Sequence, residues 1–174
     1  MTSDKPAHRI LYVDDEKDNL TVFNSAFRRE YEVYLASSGQ EGLEILKKHE
    51  INVIITDQRM PEMTGSEFFK IVHEKHPHIV RIIMSGYSDM NALISSVNDG
   101  EIFRYVSKPW EREELLDTIR LAAAKYKENI THRKLIDENK HLIERNREVA
   151  IRLSQTMEEL KRVQMELEEL NKKS

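Results

Sequence analysis

Two hydrophobic periods alternate along the first two thirds of the chain. Short runs rich in β-branched apolar residues, at 9–13, 51–56, 79–84 and 102–106, predict buried strands. Residues 31–36 set Val33 and Leu35 against polar neighbours and predict a strand nearer a sheet edge. Between these runs the spacing becomes helical. Leu20, Phe23, Ala26 and Phe27 mark a helix over 19–29, and Leu43 and Leu46 one over 41–49. Phe69, Ile71 and Val72 mark another over 66–76, with Ser66 as its expected N-cap and Pro77 as its stop. A further helix is expected over 88–98, closed by Gly100. From Glu111 onward no proline or glycine interrupts the helical pattern.

Five strands alternating with helices predict an α/β fold with a parallel sheet covered on both faces. Right-handed crossovers favour a flavodoxin-like doubly wound (βα)5 sheet of order 2-1-3-4-5. In that order the carboxyl ends of strands one, three, four and five are neighbours. They carry Asp14 and Asp15, Asp57, Ser85 and Lys108. Ligands of open α/β sheets bind at this edge.

Three carboxylates in one cleft repel one another and stay ionised when a cation sits among them. The donors are hard oxygens and the chain has no cysteine, so the expected ion is Mg²⁺. Mg²⁺ and the Lys108 ammonium together make a receptacle for a phosphoryl group. Ser85 can donate to the same group, and Asp57 becomes the nucleophile that forms an aspartyl phosphate. Taken singly these residues are ordinary: paired aspartates after a strand commonly serve a helix N-terminus, and Lys-Pro commonly marks a surface turn. Their placement at four different strand ends separates the set from those readings.

Composition narrows the picture. The 174 residues suffice for one domain plus an extension, divided here into residues 7–126 and a helix over 127–174. A net charge of −4 gives no electrostatic reason for this segment to bind nucleic acid. No apolar run is long enough for a membrane span, and residues 1–7 form a polar tail without a signal-peptide core. The absence of cysteine fits a cytoplasmic protein.

Val13-Asp-Asp-Glu16, Asp57-Gln-Arg-Met-Pro61, Gly65, Ser85-Gly86 and Tyr105-Val-Ser-Lys-Pro109 resemble the receiver domain of bacterial two-component response regulators. The resemblance spans roughly residues 7 to 126. It implies that Asp57 accepts a phosphoryl group from the phosphohistidine of a histidine kinase or phosphotransfer protein. It implies that Asp15, Asp57 and the backbone carbonyl of Arg59 ligate Mg²⁺, with Asp14 reaching it through water. It implies that Lys108 pairs with a phosphate oxygen, that the Lys108–Pro109 bond is cis, and that Ser85 and Tyr105 move as a switch. Arg59 and Tyr87, two residues beyond Asp57 and Ser85, are candidates for tuning the phosphoryl lifetime by obstructing the hydrolytic water.

Within the long helix, Leu135, Leu142, Val149, Thr156, Val163 and Leu170 recur every seven residues. Asn139, Asn146, Leu153, Leu160 and Leu167 form the second column. These are the d and a positions of a coiled coil, and two buried asparagines favour an in-register parallel homodimer. Ile136, Ile143, Ala150 and Met157 widen the stripe on one side over its first half, which serves either a bundle of more than two helices or two competing packing registers. The helical pattern runs to the last residues, which suggests transmission to a further output. Two other readings remain: a stand-alone scaffold or phosphate sink, and a haloacid-dehalogenase-like phosphohydrolase. The second needs an acid two residues after the nucleophile, where this chain has Arg59. The histidines around Pro77 are joined at fitting spacing by no acid except Glu74 and read as a solvated helix end, and the residues after His132 lack the acidic neighbour of a kinase phosphoacceptor.

Overall fold

The structure is a computed structural model that describes residues 8–86 and 102–173. Five strands form one parallel sheet in the order β2-β1-β3-β4-β5, as the alternation predicts. They are β1 (Arg9–Val13), β2 (Glu32–Ala36), β3 (Val53–Asp57), β4 (Val80–Ser85) and β5 (Arg104–Ser107). The helices between them are α1 (Lys17–Phe27), α2 (Gly39–Lys48) and α3 (Gly65–Lys75), and the C-terminal helix is Arg112–Lys173. The helix expected over 88–98, the Gly100 cap, Tyr87 and the polar tail lie outside the described residues.

The sheet separates two apolar layers. Ile10, Tyr12, Val53, Ile55, Ile82 and Met84 face Phe23 and Phe27 of α1 and Leu115, Ile119 and Ala122 of the C-terminal helix. Leu11, Val13, Ile54 and Ile83 face Leu46 of α2 and Phe68, Phe69 and Val72 of α3. The alternation follows from the period of a strand, which sends successive side chains to opposite faces. Full burial of a side chain such as Phe23 or Phe68 contributes roughly 1.5–3 kcal/mol. Every residue of β3 is buried, whereas β2, at the sheet edge, is mostly half-buried.

Several local expectations are corrected. The N-cap of α3 is Thr64, not Ser66: its hydroxyl accepts from the Glu67 N–H while the Glu67 carboxylate accepts from the Thr64 N–H. This reciprocal box satisfies two otherwise orphaned donors, which a cap at Ser66 would not. Ser66 instead hydrogen-bonds Gln58. Phe68 is fully buried in α3 and Ile71 only partly, because the helix turns its 68–69–72 side to the sheet. In α2 Gly39 is the first helical residue rather than part of the preceding turn, with Ser38 as the cap. Helix α1 starts at Lys17, two residues before its expected start, with no side-chain cap.

The chain divides into two compact units between Ile130 and Thr131. In the first, Tyr126 packs against the core and Asn129 donates to the His78 carbonyl. The second unit is helical. Leu135, Leu142, Val149, Leu153, Leu160, Val163 and Leu167 are each more than half exposed on it, and Ile136, Ile143 and Met157 are exposed beside them. The side chain of Leu170 lies outside the description.

Candidate functional site

The site stands at the carboxyl edge of β1, β3, β4 and β5. Asp14 follows β1 and is buried, Asp57 ends β3 and is 9% exposed, Ser85 ends β4 and is buried, and Lys108 follows β5. Asp15 points to solvent beside them. Local sequence fixes these positions. The Asp57 carboxylate accepts from the Arg59 N–H at 3.0 Å, and the Gln58 N–H bonds the Met84 carbonyl. Gly65 lies against the backbone of Asp57, and any side chain there would collide with the Asp57 carbonyl and the Thr56 methyl. The Lys108–Pro109 bond is cis, as the resemblance implies.

Lys108 joins the acids. Its ammonium lies 2.6 Å from Asp57 Oδ1 and 2.9 Å from Asp14 Oδ2. Asp14 also accepts from the Tyr12 hydroxyl at 2.7 Å, the Glu16 N–H at 3.0 Å and the Asn19 amide at 3.0 and 3.1 Å. Burial works against ionisation of Asp14. The Lys108, Tyr12, Asn19 and Glu16 donors outweigh it and hold the carboxyl below its usual pKa. Burial likewise disfavours the charged Lys108, but bonds to Asp57 and then Asp14 raise its pKa. Burial and the neighbouring Asp14 push the Tyr12 phenol far above its ordinary value, so it remains a donor.

The expected nest of three acids is therefore arranged differently. Among the described residues no trio of histidine, aspartate or glutamate is gathered closely enough to hold an ion. The ammonium of Lys108 stands between Asp14 and Asp57 instead, since a positive charge is what two close carboxylates require. The chemistry of the donor set still fits a hard cation: Asp15 is free to turn inward at an exposed position, and all candidate ligands are oxygens.

Ser85 and Tyr105 meet at the end of β4, where the Tyr105 hydroxyl donates to the carbonyls of Ser85 and Gly86 at 2.8 and 3.0 Å. Arg59 is exposed at the mouth. Beside Lys108 a cleft of about 560 Å³ is lined by Asn19, Val22, Lys108, Pro109 and Trp110. His73 approaches the Arg81 guanidinium at 3.0 Å, a setting unlike a metal ligand's. Sequence reasoning missed Tyr12 and Asn19. Tyr12 is the penultimate residue of an apolar run and reads as core, and Asn19 reads as the polar start of a helix.

An open parallel sheet of order 2-1-3-4-5 with acids and a lysine at its carboxyl edge is the architecture of a receiver module. The family model for the response regulator receiver domain matches residues 10–120, and the chain belongs to that family. It is 42% identical over 120 residues to the hydrogenase transcriptional regulatory protein HoxA of Cupriavidus necator, covering 69% of this chain and 25% of that protein. The chain thus spans about a quarter of the length of the curated relatives it matches. Two solved structures share the fold. A chain described as adenylate cyclase from Rhodopirellula baltica has a TM-score of 0.73 at 29% identity, covering 75% of this chain and 97% of its own. The signal receiver domain of an HD domain-containing protein from Pseudomonas fluorescens has 0.66 at 29% identity, covering 71% and 98%. Receiver domains are regulatory modules, and neither the scaffold nor the phosphohydrolase reading finds support in these likenesses. Among the described residues no helix is long and apolar enough to cross a membrane.

Proposed function

We propose that Asp57 is the phosphoacceptor of this receiver and that its occupancy is passed to a parallel coiled-coil dimer formed by residues 127–174. The observation that carries the reading is the position of Asp57. It ends the central strand, 9% exposed, with the Lys108 ammonium at 2.6 Å and the buried Asp14 on the ammonium's other side. A carboxylate oxygen of Asp57 attacks the phosphorus of a phosphohistidine, and the P–N bond breaks as the P–O bond forms. Lys108 exchanges its contact with Asp57 for one with a phosphoryl oxygen, and Ser85 donates to another. Asp15, Asp57 and the Arg59 carbonyl would hold Mg²⁺, with Asp14 acting through water. The ion supplies charge neutralisation for the phosphoryl oxygens.

The donor is a histidine kinase or phosphotransfer protein, whose phosphohistidine meets Asp57 at the carboxyl edge of the sheet. The chain turns over no external substrate; it gains and loses its own phosphoryl group in the cytoplasm. Arg59 and Tyr87 set the lifetime of that group. The apolar columns on the second unit support self-association, since a face of this length left in water invites a second helix. No nucleic-acid contact is assigned to this segment.

Incubation with Mg²⁺ and a small acyl-phosphate donor tests the reading. The chain should take up one phosphoryl group, and Asp57→Asn should take up none. Equal labelling of Asp57→Asn would remove Asp57 from the role.

A further inference from the structure

Asp14 is gripped by more groups than an acid at a strand end needs. Its two oxygens receive the Tyr12 hydroxyl, the Glu16 N–H, both approaches of the Asn19 amide and Lys108. Of these donors Tyr12 is the most fully buried and the most rigidly placed. It lies inside β1, where it pairs with Ile55 of β3, and its ring stacks on Phe23 at 4.1 Å with 17° between the planes. A phenol fixed in this way cannot carry its hydroxyl elsewhere. The bond runs to Oδ2, the same oxygen that meets Lys108.

We propose that Tyr12 is a positioning residue of the acidic site: its hydroxyl sets the orientation of the Asp14 carboxylate and so the geometry offered to Lys108 and to a divalent cation. The inference rests on the reading of the site given above, in which Mg²⁺ binds among Asp14, Asp15 and Asp57. Without the hydroxyl, Oδ2 loses its one buried neutral donor. The carboxylate is then free to turn onto Asn19 and the Glu16 N–H, at the solvent end of the site. Lys108 follows the remaining charge of Asp57, and the arrangement that receives a hydrated cation is lost. Outer-shell hydrogen bonds to metal-site carboxylates commonly change metal affinity by about 10–100-fold.

The test uses the full chain and MgCl₂ alone. Trp110 is the sole tryptophan, and it lies 6.4 Å from Phe23, ring to ring, beside Lys108 and Pro109. Its fluorescence reports the cation, and titration calorimetry gives a second, independent midpoint. Tyr12→Phe keeps the ring and its stack and removes only the hydroxyl. Its Mg²⁺ midpoint should rise about tenfold. Ile55→Val trims the neighbouring core position and serves as the packing control; it should lower the urea midpoint and leave the Mg²⁺ midpoint within twofold. A Tyr12→Phe midpoint within twofold of wild type, beside a clear wild-type response, overturns the role of Tyr12 and leaves the site reading intact. An Ile55→Val shift as large as that of Tyr12→Phe also overturns it, because packing would then be the cause. A wild-type chain that shows no Mg²⁺ response by either method removes the site reading and this inference together.

Discussion

The Lys108 ammonium lies 2.6 Å from the carboxylate of Asp57, and the same nitrogen reaches Asp14 at 2.9 Å. One cation thus holds two acids from different strands at the place where a phosphoryl group would arrive. In this arrangement the lysine is both the partner of the resting site and the competitor of any metal ion that enters it.

Removing that competitor should separate the two roles. Lys108→Met is expected to bind Mg²⁺ more tightly, on the order of tenfold, because a unit positive charge beside the acids is gone. The same variant should lose its conformational response to beryllofluoride, since no ammonium remains to meet the phosphoryl oxygens. Calorimetry and sedimentation with and without beryllofluoride check both halves.

Asp14 predicts an acid limb in the stability curve. Its folded pKa is below the ordinary 3.8, so its contribution is complete above the unfolded value and disappears as pH falls through the folded one. Urea unfolding followed from about pH 5 to about pH 3 should show stability declining with acid. Asp14→Asn should flatten that decline. An unchanged slope in the variant would assign the limb to other carboxylates.

Gly65 has no room for a methyl group. Its added carbon would stand against the Asp57 carbonyl and 2.9 Å from the Thr56 methyl, both within a packed strand end. Gly65→Ala should cost about 1–3 kcal/mol in urea unfolding. It should also weaken the Mg²⁺ response, because relief of the clash displaces the backbone that carries Asp57.

The helical unit predicts an oligomer that can be broken without harm to the receiver. Leu153 is 61% exposed on the single chain and lies midway along the proposed seam. Leu153→Glu should sediment as a monomer while keeping the thermal midpoint of the receiver portion. Asn146→Ile should do the reverse: it should stabilise the assembly and admit alternative registers, since a buried asparagine pairs best with its own copy. Disulfide crosslinking of cysteines placed along the helix would read the registers directly.

The pattern of apolar residues alone determined the five strands, their order and the strand ends that carry Asp14, Asp57, Ser85 and Lys108. Strand period, helix period and right-handed crossover leave few other arrangements for such a chain. Helix starts were less legible. The choice of Thr64 over Ser66 depends on a two-way bond with Glu67, and a string of polar residues offers several such starts. Tertiary structure alone decided what surrounds Asp14. Tyr12 belongs to a run of core residues, and only its burial against Phe23 with the hydroxyl aimed at Oδ2 makes it part of the site. It also decided that the Lys108 ammonium itself stands between Asp14 and Asp57 while Asp15 is exposed beside them. Sequence spacing specifies which strand end a charge occupies; the balance of attraction between charges a few ångströms apart exists only once the strands are side by side.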